Sequence, residues 1–247
     1  MGRYLDSDAQ ESGGYITKLS NSLRWYFKES FPHPQTEILL IILISIQYLS
    51  INDRFVDPAS GIYLVSQFLV IPSVVLFNGL VYFKDEEITT FEITLIGNWK
   101  SVAEGRFLSL LLSFLPFVLV ELVFFHFFSS FIVFLLIVMS IVMNSAVVML
   151  ASLVPNKSGA LMVTLATVFL LPLSSFVVLQ SYSSLSITIS PAMSAVLYLF
   201  SPLLTDSLYN SQVVILSPDW GLVVLGVFAI IAWFLYVLSF RRQQFKP

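Results

Sequence analysis

The chain has 247 residues, of which 57% are hydrophobic and only 11% charged, with a mean hydropathy of +0.89. A soluble domain of this size needs far more charge to cover its core, so bilayer rather than water is the main solvent. The net charge of −3 matters less than where the charges fall, and the absence of cysteine excludes disulfides, thiolate metal sites and cysteine nucleophiles.

The polar tail at residues 1–35 lacks the basic-then-apolar layout of a cleavable signal peptide, which leaves targeting to the first span. Within it, Tyr15–Phe31 reads as an amphipathic helix. Ile16, Leu19, Leu23, Tyr26 and Phe27 share one face, and Lys18, Asn21, Arg24, Lys28 and Glu29 occupy the others; Pro32 and Pro34 end it. Such a helix suits the cytoplasmic membrane interface, with Trp25 on the polar face available for a protein contact.

A helix needs roughly 20 apolar residues to cross ~30 Å of hydrocarbon. On that measure residues 36–247 form an all-α domain of six spans: Thr36–Ile51, Gly61–Phe83, Phe107–Phe128, Ser130–Val154, Ala160–Gln180 and Trp220–Phe240. The third and fourth are joined by a tight hairpin at Phe128–Ser130. Helices satisfy every backbone polar group within the segment, and the alternation of barrel strands is missing from these runs.

Six spans place Arg3, Lys18, Arg24, Lys28, Lys84, Lys100, Arg106, Lys157, Arg241, Arg242 and Lys246 on one side. Only Arg54, between Asp53 and Asp57, falls on the other. The excess of Lys and Arg on cytoplasmic loops predicts both termini in the cytoplasm. The long segment Ser181–Asp219 then lies outside. It has no Lys or Arg, and its apolar stretch Pro191–Leu204, broken by Pro191 and Pro202, is too short for a span. It predicts a re-entrant or interfacial helical pair.

Catalytic chemistry is sparse. There is no G-x-x-x-x-G-K-[ST] phosphate loop, the only histidines are His33 and His126, and no Asp lies inside a span. No serine has a G-x-S-x-G context. The chain therefore reads as a non-enzyme that binds neither metal nor cofactor by itself. The only formal charge inside the spans is Glu121, in the third. A carboxylate at that depth costs several kcal/mol on some scales, about 3 on others. Two readings fit it: a group lining a substrate path or subunit contact, or a protonated carboxyl bonded to a neighbouring helix.

The connection Lys84–Arg106 is cytoplasmic in this scheme. It opens on an acidic cluster, Asp85, Glu86 and Glu87, and places Ile88, Phe91, Ile93, Leu95 and Ile96 in a helical pattern. A solvated loop would not expose so many apolar side chains, which points to a partner surface.

At this loop the chain resembles the membrane subunit of ABC-2 type ATP-binding-cassette exporters. Thr90-Phe91-Glu92 resembles that family's T-L-E, Gly105-Arg106 its G-K pair, and Phe200-Ser201-Pro202-Leu203-Leu204-Thr205 its N-P-L-T segment. The elbow helix, the six spans and the outer helices agree with the family layout. The resemblance implies a permease in the plasma membrane that forms the pathway with a second copy or homologue. Separate P-loop ATPase subunits would bring ATP and Mg. Glu86, Glu87, Thr90, Phe91, Glu92, Gly105 and Arg106 would form the coupling loop, with Phe91 and Glu92 touching the ATPase. Composition alone is equally compatible with a non-transporting membrane scaffold. A secondary carrier is disfavoured by the single intramembrane charge, and nothing in the sequence suggests nucleic-acid binding.

Overall fold

A computed structural model describes the chain except for residues 1–2, 31–33, 53–65, 85, 129–130, 155, 186, 210–211 and 245–247. The described residues are helical almost throughout, with a single isolated bridge between Ile189 and Val214. In chain order, α1 is Arg3–Ser30 and α2 is Pro34–Asn52. The third helical run, α3, comprises a π-turn at Ser66–Val70, an α-helix at Ile71–Gly79 and a 3₁₀ turn at Leu80–Tyr82. Then follow α4 Glu86–Ile96, α5 Trp99–Ser113, α6 Leu115–Phe128 and α7 Phe131–Ala151. Helix α8, Lys157–Ser184, carries a second π-turn at Ala166–Leu170. The short helices α9 Pro191–Phe200 and α10 Pro202–Tyr209 precede the last helix, α11 Pro218–Gln244.

Among the described residues, four helices are long and apolar enough to cross a membrane: Trp99–Val123 (α5 running into α6), Phe131–Ala151, Lys157–Ser184 and Pro218–Arg242. Helices of this length and composition mark a membrane protein, helical almost throughout among the described residues. The first two expected spans correspond to α2 and α3, whose apolar stretches among the described residues, Glu37–Ile46 and Gln67–Leu76, are shorter. Gly61, Arg54 and the hairpin residues Ser129 and Ser130 lie outside the described residues.

The third long helix begins earlier than the apolar run suggests, at Trp99 rather than Phe107. Gly97 adopts φ +71°, a left-handed turn that ends α4. The Asn98 side chain then caps the new helix by accepting from Lys100 N at 2.9 Å. Pro116 cannot donate to the preceding turn, and the helix breaks at Phe114 between α5 and α6.

Helix α7 lies at the centre. It packs most extensively along α11 and also touches α3, α5, α6, α8 and α10. Its buried side Val133, Leu136, Ile137, Ile141, Met149 is apolar, interrupted by Ser140, Asn144 and Ser145. Asn144 donates to the Ser140 carbonyl at 2.8 Å, so its amide is satisfied within its own helix. Small residues let neighbours close in: a Cβ on Gly79 would sit 2.8 Å from Val148 Cγ1, and one on Gly221 would sit 2.5 Å from the Tyr198 ring.

Helix α1 is packed along α5. The face it presents differs from the apolar stripe read from sequence. Ser22 and Tyr26 are fully buried, whereas Ile16 is 65% exposed. The reason is steric: α5 offers Gly105 at the crossing, and a small hydroxyl fits there where an isoleucine would not. Trp25 stacks on Tyr26 with ring centroids 6.0 Å apart, extending the packed face around the helix.

Candidate functional site

Two of the sequence-predicted loop residues, Glu92 and Arg106, meet in one buried ionic cluster. Glu92 lies on the inner side of α4 and is only 2% exposed. Arg106 Nη2 donates to Glu92 Oε2 at 2.5 Å, and Lys84 Nζ donates to Oε1 at 2.7 Å. The Tyr26 hydroxyl reaches Oε2 from α1, also at 2.5 Å. Arg106 makes a further bond to Thr89 Oγ1 at 3.1 Å. Both carboxylate oxygens are thereby engaged by charge-assisted donors, the arrangement a buried ion needs to offset its lost hydration. Burial by itself would raise the Glu92 pKa, but the Arg106 charge and the bonds from Lys84, Tyr26 and Arg106 prevail and hold it below the usual value. The Tyr26 phenol is pushed up, first by burial.

The guanidinium is enclosed by rings. Arg106 sits 5.7 Å from the Tyr26 ring centroid and 5.5 Å from that of Phe240, near the end of α11. One turn away, Tyr236 donates to the Ala103 carbonyl at 3.3 Å. Residues from α1, α4, α5 and α11 therefore meet around one side chain. Sequence reading did not find Tyr26, Lys84 or Phe240 as members of this site.

Gly105 sets the approach of α1. A Cβ built on it would fall 2.2 Å from Ser22 Oγ and 2.9 Å from Ser22 Cβ. Two further contacts hold the same helices: the Tyr15 hydroxyl bonds the Glu104 carboxylate, and Lys18 Nζ donates to the Gly97 carbonyl at 3.3 Å. Burial, followed by the Glu104 contact, raises the Tyr15 pKa to about 12.

The other side of α4 is open. Ile88, Phe91 and Leu95 are 44%, 63% and 61% exposed, and they recur at the spacing of one helical face. Glu87 and Thr90 are exposed beside them. The two residues expected to make one common contact, Phe91 and Glu92, diverge by about 100° around the helix: Phe91 is exposed and Glu92 enters the cluster. Asp85 and the side chain of Glu86 lie outside the described residues. Glu121 is buried on α6, well separated in sequence from the cluster, and is not without a partner. The side chain of His126 is outside the described residues. Among the described residues, no group of three or more His, Cys, Asp or Glu could hold a metal ion.

Comparison of the chain with models of protein families, with curated proteins and with solved structures finds no match. The geometry defines a helix pinned on one side by buried charge and presenting an apolar face on the other.

Proposed function

We propose that this chain is the permease subunit of an ATP-driven exporter of the ABC-2 type, with α4 as the element that receives force from a separate ATPase. The observation that carries the reading is the two-sidedness of α4. Glu92 fastens it to α1 and α5, while Ile88, Phe91 and Leu95 stay exposed along the solvent side that borders this joint. A helix that transmits a push needs both features: a surface for the motor and a stiff joint to the moving spans. In this reading Glu87, Thr90 and Phe91 meet the ATPase, whereas Glu92, Gly105 and Arg106 form the joint. ATP and Mg belong to the partner.

The six-span scheme completes the proposal. With α2 and α3 as the first two crossings, the Lys- and Arg-bearing segments fall on one side, which the positive-inside rule makes cytoplasmic. Both termini, α1 and α4 then share the compartment of the ATPase at the plasma membrane, and α9 and α10 lie at the outer side. A second copy or homologue would complete the pathway.

Purification of the full chain in mild detergent from its native membrane tests the proposal. The expected result is stoichiometric recovery of a P-loop ATPase, lost on Phe91→Ala with Leu95→Ala. Recovery of the permease at normal yield with no ATPase, in repeated preparations, rejects it.

A further inference from the structure

Both α3 and α8 contain a π-turn followed at the same offset by proline. Ser66–Val70 precedes Ile71-Pro72, and Ala166–Leu170 precedes Leu171-Pro172. Proline has no N–H to donate and its ring crowds the carbonyl four residues back, so an extra residue in the preceding turn relieves the clash. The two distorted regions face each other. Ser66–Val70 contacts Leu171–Ser184, Ile71–Gly79 contacts Ala166–Leu170, and Phe68 meets Phe176 edge-on with centroids 5.9 Å apart.

A third interruption of regular helix is fastened to both. Between α9 and α10 the backbone turns at Ser201, with φ −143° and ψ 60°, because Pro202 starts a new helix. Ser201 N still bonds Leu197 O at 2.7 Å and Thr205 N bonds Ser201 O at 3.0 Å. The Phe200 carbonyl between them belongs to neither ladder. Gln67 Nε2, from the first π-turn, donates to it at 3.3 Å. The Ser201 hydroxyl donates to the Pro172 carbonyl at 3.0 Å. Gln67 is 3% exposed, and its Oε1 has no hydrogen-bond partner among the described residues. Its amide therefore grips the break through one moderately long bond, a hold that is specific in position yet releasable.

We propose that the Ser201 break is the closing point of a gate, in which the α9–α10 junction, packed against α7 and α11, is latched to α3 and α8 by Gln67 and Ser201 and opens when those bonds are lost. In an exporter this would seal the outer end of the pathway. Its purpose rests on the exporter reading, but its geometry does not. Irregular backbone at three adjoining places is tolerated in a membrane protein where it is buried in protein or lines a pathway. The two proline-bearing turns supply the places where α3 and α8 can bend without breaking a regular ladder.

The chain has no cysteine, so a single introduced thiol reports accessibility directly. Leu203→Cys places it behind the break, and Val102→Cys places a control in the α5 core; both positions are fully buried. In the full chain in detergent, a water-soluble maleimide should label position 203 slowly. Gln67→Leu removes the donor, and Gln67→Met removes it while keeping the length and flexibility of the side chain. Each should speed labelling at 203 by about tenfold, the equivalent of one buried hydrogen bond, and leave position 102 unchanged. Ser201→Ala should act in the same direction. Should Leu203→Cys impair folding, amide hydrogen exchange across 194–205 in Gln67→Leu and the parent chain reads the same opening.

Labelling at 203 that stays within about twofold in both Gln67 variants overturns the gate. So does acceleration at 102 and 203 together, which makes Gln67 a support of the whole bundle. Neither measurement involves an ATPase, so the gate and the exporter reading fail separately.

Discussion

Glu92 and Arg106, 14 residues apart in sequence, form an ion pair of 2.5 Å in which neither side chain is more than 2% exposed. It is the joint between α4 and α5, and Tyr26 extends it to α1. Its energetics are asymmetric. A buried pair contributes little beyond a well-packed apolar one, but removing one member strands the other charge. Glu92→Leu or Arg106→Leu should therefore cost about 3–5 kcal/mol. Replacing both with Leu should recover much of that loss, and thermal unfolding in detergent, compared across the four proteins as a double-mutant cycle, checks this.

Acid should loosen the same joint. The Glu92 pKa is lowered from 4.5 in the folded protein, so the folded state holds the charged form more strongly than the unfolded chain. The stabilisation is fully present above about pH 4.5 and is lost as pH falls through the lower, folded value. Stability followed from neutral pH downward should stay flat with respect to this group until about pH 4.5 and then fall. Glu92→Gln should remove this acid-dependent component, while loss of the charge lowers stability at neutral pH.

Gly105 predicts a steric coupling between helices. A methyl group at this position would meet the Ser22 hydroxyl at 2.2 Å. Gly105→Ala should destabilise by about 1–3 kcal/mol, as overpacking does. Ser22→Gly should restore part of the loss by removing the obstructing side chain. A Gly105→Ala defect that Ser22→Gly leaves undiminished would place the obstruction elsewhere.

The exposed side of α4 should behave in the opposite way. Phe91 and Leu95 contact solvent more than protein, so replacing either with Ala should change stability by no more than about 0.5 kcal/mol. Binding of the proposed ATPase should weaken about tenfold or more, since large apolar side chains near the centre of an interface carry much of its affinity. Co-purification ratio and unfolding temperature, measured on the same preparations, separate the two effects.

Sequence reading reached part of this site. Glu92, Gly105 and Arg106 were singled out together, although nothing in a linear pattern shows which side of α4 a carboxylate occupies. The pattern of Ile88, Phe91, Ile93, Leu95 and Ile96 announces a helix with apolar residues all along it; only packing against α1 and α5 turns Glu92 inward and leaves Phe91 outside. Likewise, Ile16 is more hydrophobic than Ser22, yet the glycine across the contact selects the serine.

By itself, the sequence determined that this is a helical membrane protein, because long apolar runs with so little charge have no other stable solvent or backbone arrangement. It also marked the Pro191–Leu204 segment as too short to cross and broken by proline, and α9 and α10 are two short helices there. Tertiary structure alone decided where the helices meet. Tyr26, Glu92, Arg106 and Phe240 come from four separate helices, and the groups that fasten the Ser201 break come from two, α3 and α8. Such meetings depend on which residues leave room for close approach and which buried polar groups must find partners. Those are conditions on pairs of helices, and no single segment carries them.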